Sequence, residues 1–334
     1  MSNLLEIKNL SVDIMSTRGL IHAVRKVSLN LDQGVIHGIV GESGCGKSVT
    51  AKSIMRLHNS RTVRIRGEIN FQGVNLLELS EREMQKIRGR KISMIFQDPM
   101  SALNPLYRIG DQLSEIYIHH FHDTKAEAKR KSLELLEQVG IHPAEVRYHQ
   151  YPFEFSGGML QRVVIAMAIA AKPDLIIADE PTTALDVTIQ AQILELLKQL
   201  QKDLDVSIMV ITHNFGIVSE ICDDVSVMYA GTVMETGRKQ DIFNHAVNPY
   251  SAALMESIPK SGHAGEKLTT IPGTPPELFD IVPGCPFAPR CEFCTERCLT
   301  EKPSLLLCRS QLGEGHLAAC HNRKEAFDEQ SILI

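Results

Sequence analysis

This chain of 334 residues has no tryptophan, and it lacks three features that would each indicate a class of protein. No apolar run approaches the roughly 20 residues needed to span a bilayer, so any membrane role requires a partner. The net charge of −5 provides no positive field, and we therefore expect no nucleic-acid partner. The start, MSNLLEIKNL, includes the acidic Glu6 and does not resemble a signal or transit peptide. We therefore expect a cytosolic protein.

Cysteine is scarce until residue 285 and then becomes frequent. Six of the eight cysteines lie in this last part of the chain: Cys285, Cys291, Cys294, Cys298, Cys308 and Cys320. Thiols stay reduced in the cytosol, so the cluster indicates a metal site rather than disulfides. From about Pro259 the sequence is rich in Gly, Pro and charge and has little periodicity, so a metal would replace an apolar core there. The spacing of Cys291 and Cys294 fits half a zinc ribbon, but a second C-x-x-C pair is missing.

A glycine-rich loop in the first part of the chain predicts phosphate binding. Val35–Val40 is a short apolar run that predicts a buried strand, and Ala51–Leu57 predicts a helix. Between them lies the pattern G-x-x-x-x-G-K-S, formed by Gly41, Glu42, Ser43, Gly44, Cys45, Gly46, Lys47 and Ser48. In this context backbone N–H groups surround phosphate oxygens, Lys47 reaches the β- and γ-phosphates, and the Ser48 hydroxyl ligates Mg²⁺. We expect Cys45 to contribute to phosphate binding through its backbone rather than through its thiol.

Acidic residues follow a second predicted strand. Leu175–Ala178 predicts a buried strand that ends at Asp179 and Glu180. Ligands of open α/β sheets bind at the carboxyl ends of the strands. Asp179 is therefore predicted to hold Mg²⁺ through water, and Glu180 to polarise the attacking water. Ile208–Thr212 predicts a third strand, followed by His213.

Besides the phosphate loop, four other motifs resemble those of one family. Phe155–Arg162 reads FSGGMLQR and resembles the signature motif of ABC-transporter ATPases, in which S-G-G starts a helix. The segment Pro173–Asp186 follows and ends in Ala-Leu-Asp, which resembles the D-loop of that family. Gln97 resembles its Q-loop glutamine and His213 its switch histidine. The resemblance covers about residues 4–260 and includes all five motifs in the family's order.

This resemblance implies a head-to-tail dimer, in which ATP lies between one subunit's phosphate loop and the other's signature helix. The implied roles are catalysis by Lys47, Gln97, Glu180 and His213; Mg²⁺ ligation by Ser48, Gln97 and Asp179; and nucleotide binding by the phosphate loop together with Ser156, Gly157, Gly158, Met159 and Asp186. Three features depart from the family pattern. Met159 replaces a glutamine, Asn214 replaces an aspartate, and no aromatic residue precedes Phe71 to stack on adenine. His22 or an aliphatic residue is expected to take that place.

Two further segments and the cysteines resemble the oligopeptide and dipeptide importer branch of the family. These segments are F-Q-D-P-x-x-x-L-N-P, at Phe96–Pro105, and N-P-Y-S, at Asn248–Ser251. The cysteine pattern C-x₅-C-x₆-C with a distant fourth cysteine resembles the C-terminal extension of these ATPases, some of which hold a [4Fe–4S] cluster. The ligands implied by this match are Cys285, Cys291, Cys298 and Cys320. Cys294 and Cys308 are then surplus, and zinc or free thiols remain the alternatives.

Other patterns predict local structure. Ser80 and Glu83 fit a capping box that opens a short helix before a strand at Ile92–Phe96. Lys125–Val139 predicts a helix with a buried face, and a similar stripe follows the D-loop. The two stripes comprise Leu133, Leu136 and Val139, then Ile189, Ile193, Leu196, Leu197 and Leu200. Prolines in Gln97–Pro105 predict an exposed loop without regular structure, which in the family contacts the membrane subunit.

Together these features predict an α/β fold: a P-loop NTPase core with an antiparallel β subdomain, a helical signature subdomain at about 98–165, and a small metal-stabilised C-terminal extension. Residues 1–258 are expected to form the ATPase and 259–334 the extension. The predicted function is hydrolysis of MgATP at the cytoplasmic face of the cell membrane, which powers the uptake of dipeptides or oligopeptides. The implied partners are a second ATPase subunit, two permease subunits and an extracytoplasmic substrate-binding protein. The second ATPase subunit is expected to be a related chain, with a second copy of this chain as the alternative. Nickel or metal-chelate cargo, and a soluble ABC ATPase of translation or DNA repair, are the alternatives.

Overall fold

The computed structural model describes residues 3–183, 185–257, 271–279, 283–308 and 315–322. Two compact units form within the chain. The first comprises Met1–Asp32, His37–Leu77 and Thr212–Ile334, and the second comprises Gln33–Ile36 and Glu78–Ile211. No helix in the described ranges is long and apolar enough to cross a membrane.

The described residues form twelve strands and twelve α-helices. The strands are β1 (Asn3–Ser16), β2 (Gly19–Asp32), β3 (Ile36–Val40), β4 (Val63–Phe71), β5 (Val74–Asn75), β6 (Ile92–Ile95), β7 (Leu175–Asp179), β8 (Ser207–Thr212), β9 (Asp224–Tyr229), β10 (Thr232–Arg238), β11 (Leu306–Leu307) and β12 (Leu317–Ala318). The α-helices are α1 (Lys47–Ile54), α2 (Glu81–Ile87), α3 (Pro99–Ala102), α4 (Ile109–Phe121), α5 (Lys125–Gln138), α6 (Ala144–Tyr148), α7 (Gly157–Ile169), α8 (Val187–Leu204), α9 (Phe215–Ile221), α10 (Lys239–Asn244), α11 (Pro249–Glu256) and α12 (Glu296–Thr300).

The first unit contains two groups of paired strands. One group is antiparallel in the order β2-β1-β4-β5, and in the other β11-β12-β10-β9 continues to β3. Strand β3 runs parallel to β9, and all five of its residues are buried. A fully buried strand of this kind is typical of a parallel pair that is covered on both faces. Consequently the phosphate loop starts from a buried strand.

The C-terminal extension packs within this first unit. Strand β12 pairs with β10, where Glu235 lies opposite Ala318 and Thr236 opposite Leu317. Asn248 donates its side-chain amide to the Ala319 carbonyl over 2.7 Å. The extension thus adds its own short strands to the edge of the strand group that holds the phosphate loop.

The second unit combines a parallel group of strands in the order β8-β7-β6 with helices α2 to α8. The predicted capping box is confirmed at α2, where Ser80 and Glu83 bond reciprocally. In α5 and beyond it, Leu136 and Val139 are buried as predicted, whereas Leu133 is half-buried. Ile193, Leu196, Leu197 and Leu200 of α8 are also buried, and Ile189 is half-buried.

Two local predictions were wrong. The segment Gln97–Pro105 contains the one-turn helix α3, because Asp98 caps its N-terminus and Pro99 occupies the first helical position, which proline tolerates. Helix α1 begins at Lys47 rather than at Ala51 and ends at Ile54. The helix therefore starts directly at the residues predicted to meet phosphate.

Candidate active site

The phosphate loop depends on glycine at the points where other backbone passes close to it. A Cβ atom at Gly41 would lie 2.0 Å from the Met228 carbonyl oxygen, and one at Gly46 would lie 2.4 Å from the Ala23 carbonyl oxygen. Gly46 also has a φ of 103°, which other residues rarely adopt. The loop is thus packed against β9 and β2 through its backbone.

Lys47 is buried, and its ammonium group closes the loop. It donates to the carbonyl oxygens of Gly41 over 2.8 Å and of Glu42 over 2.9 Å. Its Nζ also lies 3.6 Å from the Cys45 sulfur. Burial raises the pKa of the Cys45 thiol, so this sulfur stays neutral near pH 7. Ser43 and Gly44 are exposed, and Ser48 is half-buried in the first turn of α1.

Glu42 is held by two residues for which we predicted no role. Its backbone N–H donates to the hydroxyl of Tyr250 over 3.1 Å. Its carboxylate accepts two hydrogen bonds from the Arg290 guanidinium, over 2.7 and 3.1 Å. Tyr250 and Arg290 lie far along the chain from Glu42, and no spacing in the sequence indicates either contact. Burial also raises the pKa of the Tyr250 phenol, which remains protonated.

In the second unit the fold brings Gln97 and Glu180 together. The Gln97 amide donates to the Glu180 carboxylate over 2.8 Å, and the Thr183 hydroxyl donates to the same oxygen over 2.9 Å. Glu180 has a φ of 48°, and its N–H donates to the Ile211 carbonyl. Asp179 is the buried last residue of β7. The carboxylate of Glu180 is therefore oriented by two donors at the end of a parallel strand.

The signature and D-loop residues lie at two helix N-termini in the same unit. Ser156 caps α7 by accepting from the Met159 N–H over 3.4 Å, and Asp186 caps α8 by accepting from the Ile189 N–H over 2.9 Å. A Cβ atom at Gly158 would lie 2.6 Å from the Ile189 side chain, so glycine allows the two helices to approach. Ser156 and Gly157 are exposed at the positive end of α7, which suits an anion.

The structure also accounts for one of the departures from the family pattern. Asn214 follows His213 and caps α9, since its side chain accepts from the Gly216 N–H over 2.8 Å. Asparagine caps helices about as well as aspartate, which explains how the replacement is tolerated. The ring of His22, which was predicted to contact adenine with an aliphatic residue as the alternative, pairs with Asp13 over 2.7 Å. Between β1 and β2, the Cζ atom of Arg18 lies 4.8 Å from the centre of the Phe279 ring, which belongs to the extension.

Four cysteines of the extension line one cavity. They are the predicted ligands Cys285, Cys291, Cys298 and Cys320, accompanied by Phe287, Ala288 and Asn322. Cys294 and Cys308 do not line it. None of the eight cysteines forms a disulfide, and in the described ranges no group of three or more His, Cys, Asp or Glu side chains is arranged to hold a metal ion. Burial is the main cause that raises the pKa of Cys285 to about 11, and the three other thiols of the cavity add to it.

Comparisons with known proteins agree with the geometry. A family model described as ABC transporter matches residues 24–183, and one described as Oligopeptide/dipeptide transporter, C-terminal region, matches residues 234–298. The chain is 51% identical over 292 residues to the dipeptide transport ATP-binding protein DppD of Bacillus subtilis, covering 87% of each chain. It is 48% identical over 328 residues to the oligopeptide transport ATP-binding protein OppD of Haemophilus influenzae, covering 98% of this chain and 100% of that one.

This chain belongs to the ATP-binding subunits of dipeptide and oligopeptide ABC importers. Its activity is ATP hydrolysis coupled to peptide transport, as the sequence predicted. The ABC ATPase fold is confirmed by a solved dimer of an ATP-binding cassette in a post-hydrolysis state, bound to ADP and Pi. That structure is 28% identical, has a TM-score of 0.63, and covers 70% of this chain and 98% of its own.

Proposed function

We propose that this subunit hydrolyses MgATP with Glu180 as the residue that polarises the attacking water. The contact between Gln97 and Glu180 carries this proposal, since it places the Q-loop amide on the predicted catalytic carboxylate. In this scheme Lys47 and the backbone of Gly41–Ser48 bind the β- and γ-phosphates, and His213 contacts the γ-phosphate. Two donors hold the Glu180 carboxylate in one orientation, which a general base requires.

The residues proposed for Mg²⁺ suit that ion chemically. Ser48, Gln97 and Asp179 offer hydroxyl, amide and carboxylate oxygens, which are the donors that Mg²⁺ prefers. The bound ion would neutralise charge that develops on the phosphates. Asp179 is buried as the last residue of β7.

Glu180→Gln tests the catalytic assignment. The amide keeps the size of the side chain but cannot accept a proton, so turnover should fall about 10²- to 10⁴-fold while MgATP still binds. Steady-state ATPase assays and nucleotide titration would measure the two quantities. Glu195→Gln, at an exposed position of α8 in the same unit, is the matched control and should change neither. Retained turnover in Glu180→Gln would remove Glu180 from this role.

We propose further that residues 1–258 form the ATPase and that the extension of residues 259–334 holds a [4Fe–4S] cluster, with zinc as the alternative. The cavity supports the assignment, because it is lined by the four cysteines of the C-x₅-C-x₆-C match and by neither surplus cysteine. Four thiolates are the ligand set of such clusters. A bound metal would favour the thiolate form of Cys285, whose pKa is otherwise raised.

The metal proposal predicts a coloured protein after anaerobic purification. We expect iron and sulfide in stoichiometric amounts and a visible spectrum, all greatly reduced in Cys285→Ser. The matched control is Cys294→Ser, which replaces a thiol outside the cavity and should keep the metal. A colourless wild-type protein with one zinc per chain would refute the cluster and support zinc.

The subunit is proposed to act as a dimer with a related second ATPase subunit. Two membrane permeases and an extracytoplasmic substrate-binding protein would complete the importer, with this chain at the cytoplasmic face of the membrane. Support comes from the exposed N-termini of α7 and α8, where Ser156, Gly157 and Asp186 can meet nucleotide held by the other subunit. Peptides are the proposed cargo because relatives about 50% identical carry dipeptide and oligopeptide in their names.

A further inference from the structure

A charged residue of the C-terminal extension is paired with the phosphate loop. The Arg290 guanidinium donates to both oxygens of the Glu42 carboxylate, over 2.7 and 3.1 Å, although 248 residues separate the two. The side chain of Arg290 is 5% exposed and that of Glu42 is 27% exposed. This is a bidentate ion pair that is mostly removed from water. Its geometry is therefore more defined than that of a solvent-exposed ion pair.

The guanidinium group of Arg290 also forms hydrogen bonds outside the phosphate loop. Its Nε donates to the Pro272 carbonyl over 2.8 Å, and its two terminal nitrogens also reach the Ile271 carbonyl and the Tyr229 hydroxyl. With the two bonds to Glu42, all five N–H donors of the guanidinium have an acceptor. The group also lies 5.7 Å from the centre of the Tyr229 ring. Lysine would keep the positive charge at this site but could not make all of these bonds, because it has three donors and no planar fork.

The position of Glu42 makes its charge important for nucleotide binding. It is the second residue of the loop Gly41–Ser48, and its own carbonyl receives the Lys47 ammonium. An unpaired carboxylate at this point would repel the phosphates of ATP and attract Lys47 away from them. Arg290 neutralises that carboxylate, and the Tyr250 hydroxyl fixes the Glu42 backbone N–H. The extension therefore supplies the counter-charge of the Glu42 carboxylate within the loop.

Arg290 also connects the loop to the cysteine-lined cavity. It directly precedes Cys291, and the turn that contains it is closed by a hydrogen bond from the Cys291 N–H to the Ala288 carbonyl. Cys291 and Ala288 both line the cavity. This turn thus places Cys291 at the cavity and the preceding residue, Arg290, against Glu42 of the phosphate loop.

We propose that Arg290 is a positioning residue for nucleotide binding, which neutralises and immobilises Glu42 so that the C-terminal extension completes the phosphate loop of its own subunit. This inference rests on the proposed binding of MgATP by Lys47 and its loop. It does not require the cavity to hold any particular metal.

The test compares charge variants in the full-length protein. The dissociation constant for MgATP would be measured by titration with a fluorescent ATP analogue, and metal content would be recorded for each variant. Arg290→Gln leaves the carboxylate of Glu42 unpaired and should weaken binding about 5- to 30-fold. Arg290→Lys keeps the charge without the fork and should lie in between. Because the damage comes from the unpaired charge, adding Glu42→Gln to Arg290→Gln should recover most of the lost affinity.

Arg297→Gln is the matched control. Arg297 also directly precedes a cysteine of the cavity, Cys298, but it pairs with Glu301 on the surface. This variant should bind MgATP like the wild type. Unchanged affinity in Arg290→Gln, or a double variant as weak as Arg290→Gln alone, would overturn the proposal. A wild-type protein that does not bind MgATP would instead overturn the proposed function.

Discussion

Glu235 is a carboxylate that the fold buries completely and surrounds with donors. It accepts from the backbone N–H groups of Val247 and Asn248, over 2.7 and 3.1 Å, and lies 2.7 Å from the His316 ring. The side chains of His316 and Glu235 are 2% and 0% exposed. A buried charge requires such partners, because each unsatisfied bond would cost about 1–3 kcal/mol. Glu235 thereby ties α11 and the extension to β10.

Glu235→Gln should therefore destabilise the protein. The neutral amide can accept fewer of these hydrogen bonds, and its own N–H₂ group would face other donors. We expect the free energy of unfolding to fall by about 2–4 kcal/mol, measured by urea denaturation followed by circular dichroism. Glu256→Gln, at an exposed position of α11, should leave the midpoint unchanged. Equal midpoints for the two variants would show that the buried carboxylate contributes little.

At the scale of single elements, strands were predicted more accurately than helix ends and loops. Four strands, β3, β6, β7 and β8, lie within one residue of the predicted bounds. Each is a short apolar run between loop residues, and such a run is typical of a buried strand. The helix α3 was missed, since its four residues depend on the cap from Asp98 rather than on periodicity. The short strands β11 and β12 were missed as well, because they form only by pairing with β10 or with each other.

At the scale of the whole molecule, the proposed dimer places each signature helix on nucleotide bound by the neighbouring subunit. Gly157 is exposed at the start of α7, and a Cβ atom there would approach Leu185 no closer than 3.8 Å. A Cβ atom at this position therefore fits within the subunit itself. Any effect of a substitution should appear only where nucleotide meets the helix.

Gly157→Asp should separate binding from turnover. In the assembled transporter the added carboxylate would repel the γ-phosphate across the dimer, and we expect ATP turnover to fall at least about 100-fold. The isolated subunit should keep its affinity for MgATP, because its own phosphate loop is unaltered. Gly157→Ala adds the Cβ without the charge and should retain more turnover. Loss of affinity in the isolated Gly157→Asp subunit would argue against a site shared between subunits.

The sequence by itself determined the family and the ABC ATPase fold, and it predicted the residues of the ATP site. This was possible because phosphate binding needs a strand, a glycine loop and a helix that are contiguous in the chain, and the signature and D-loop are equally local. It also singled out four of six cysteines, and these four line one cavity.

Only the tertiary structure decided which distant side chains complete these motifs. The pairs formed by Arg290 with Glu42 and by His316 with Glu235 join residues far apart in the chain. Neither pair has a spacing or a periodicity that could reveal it. Which residues become partners is determined by the elements that the packed core brings together, because a buried polar or charged side chain needs hydrogen-bond partners that the folded chain supplies.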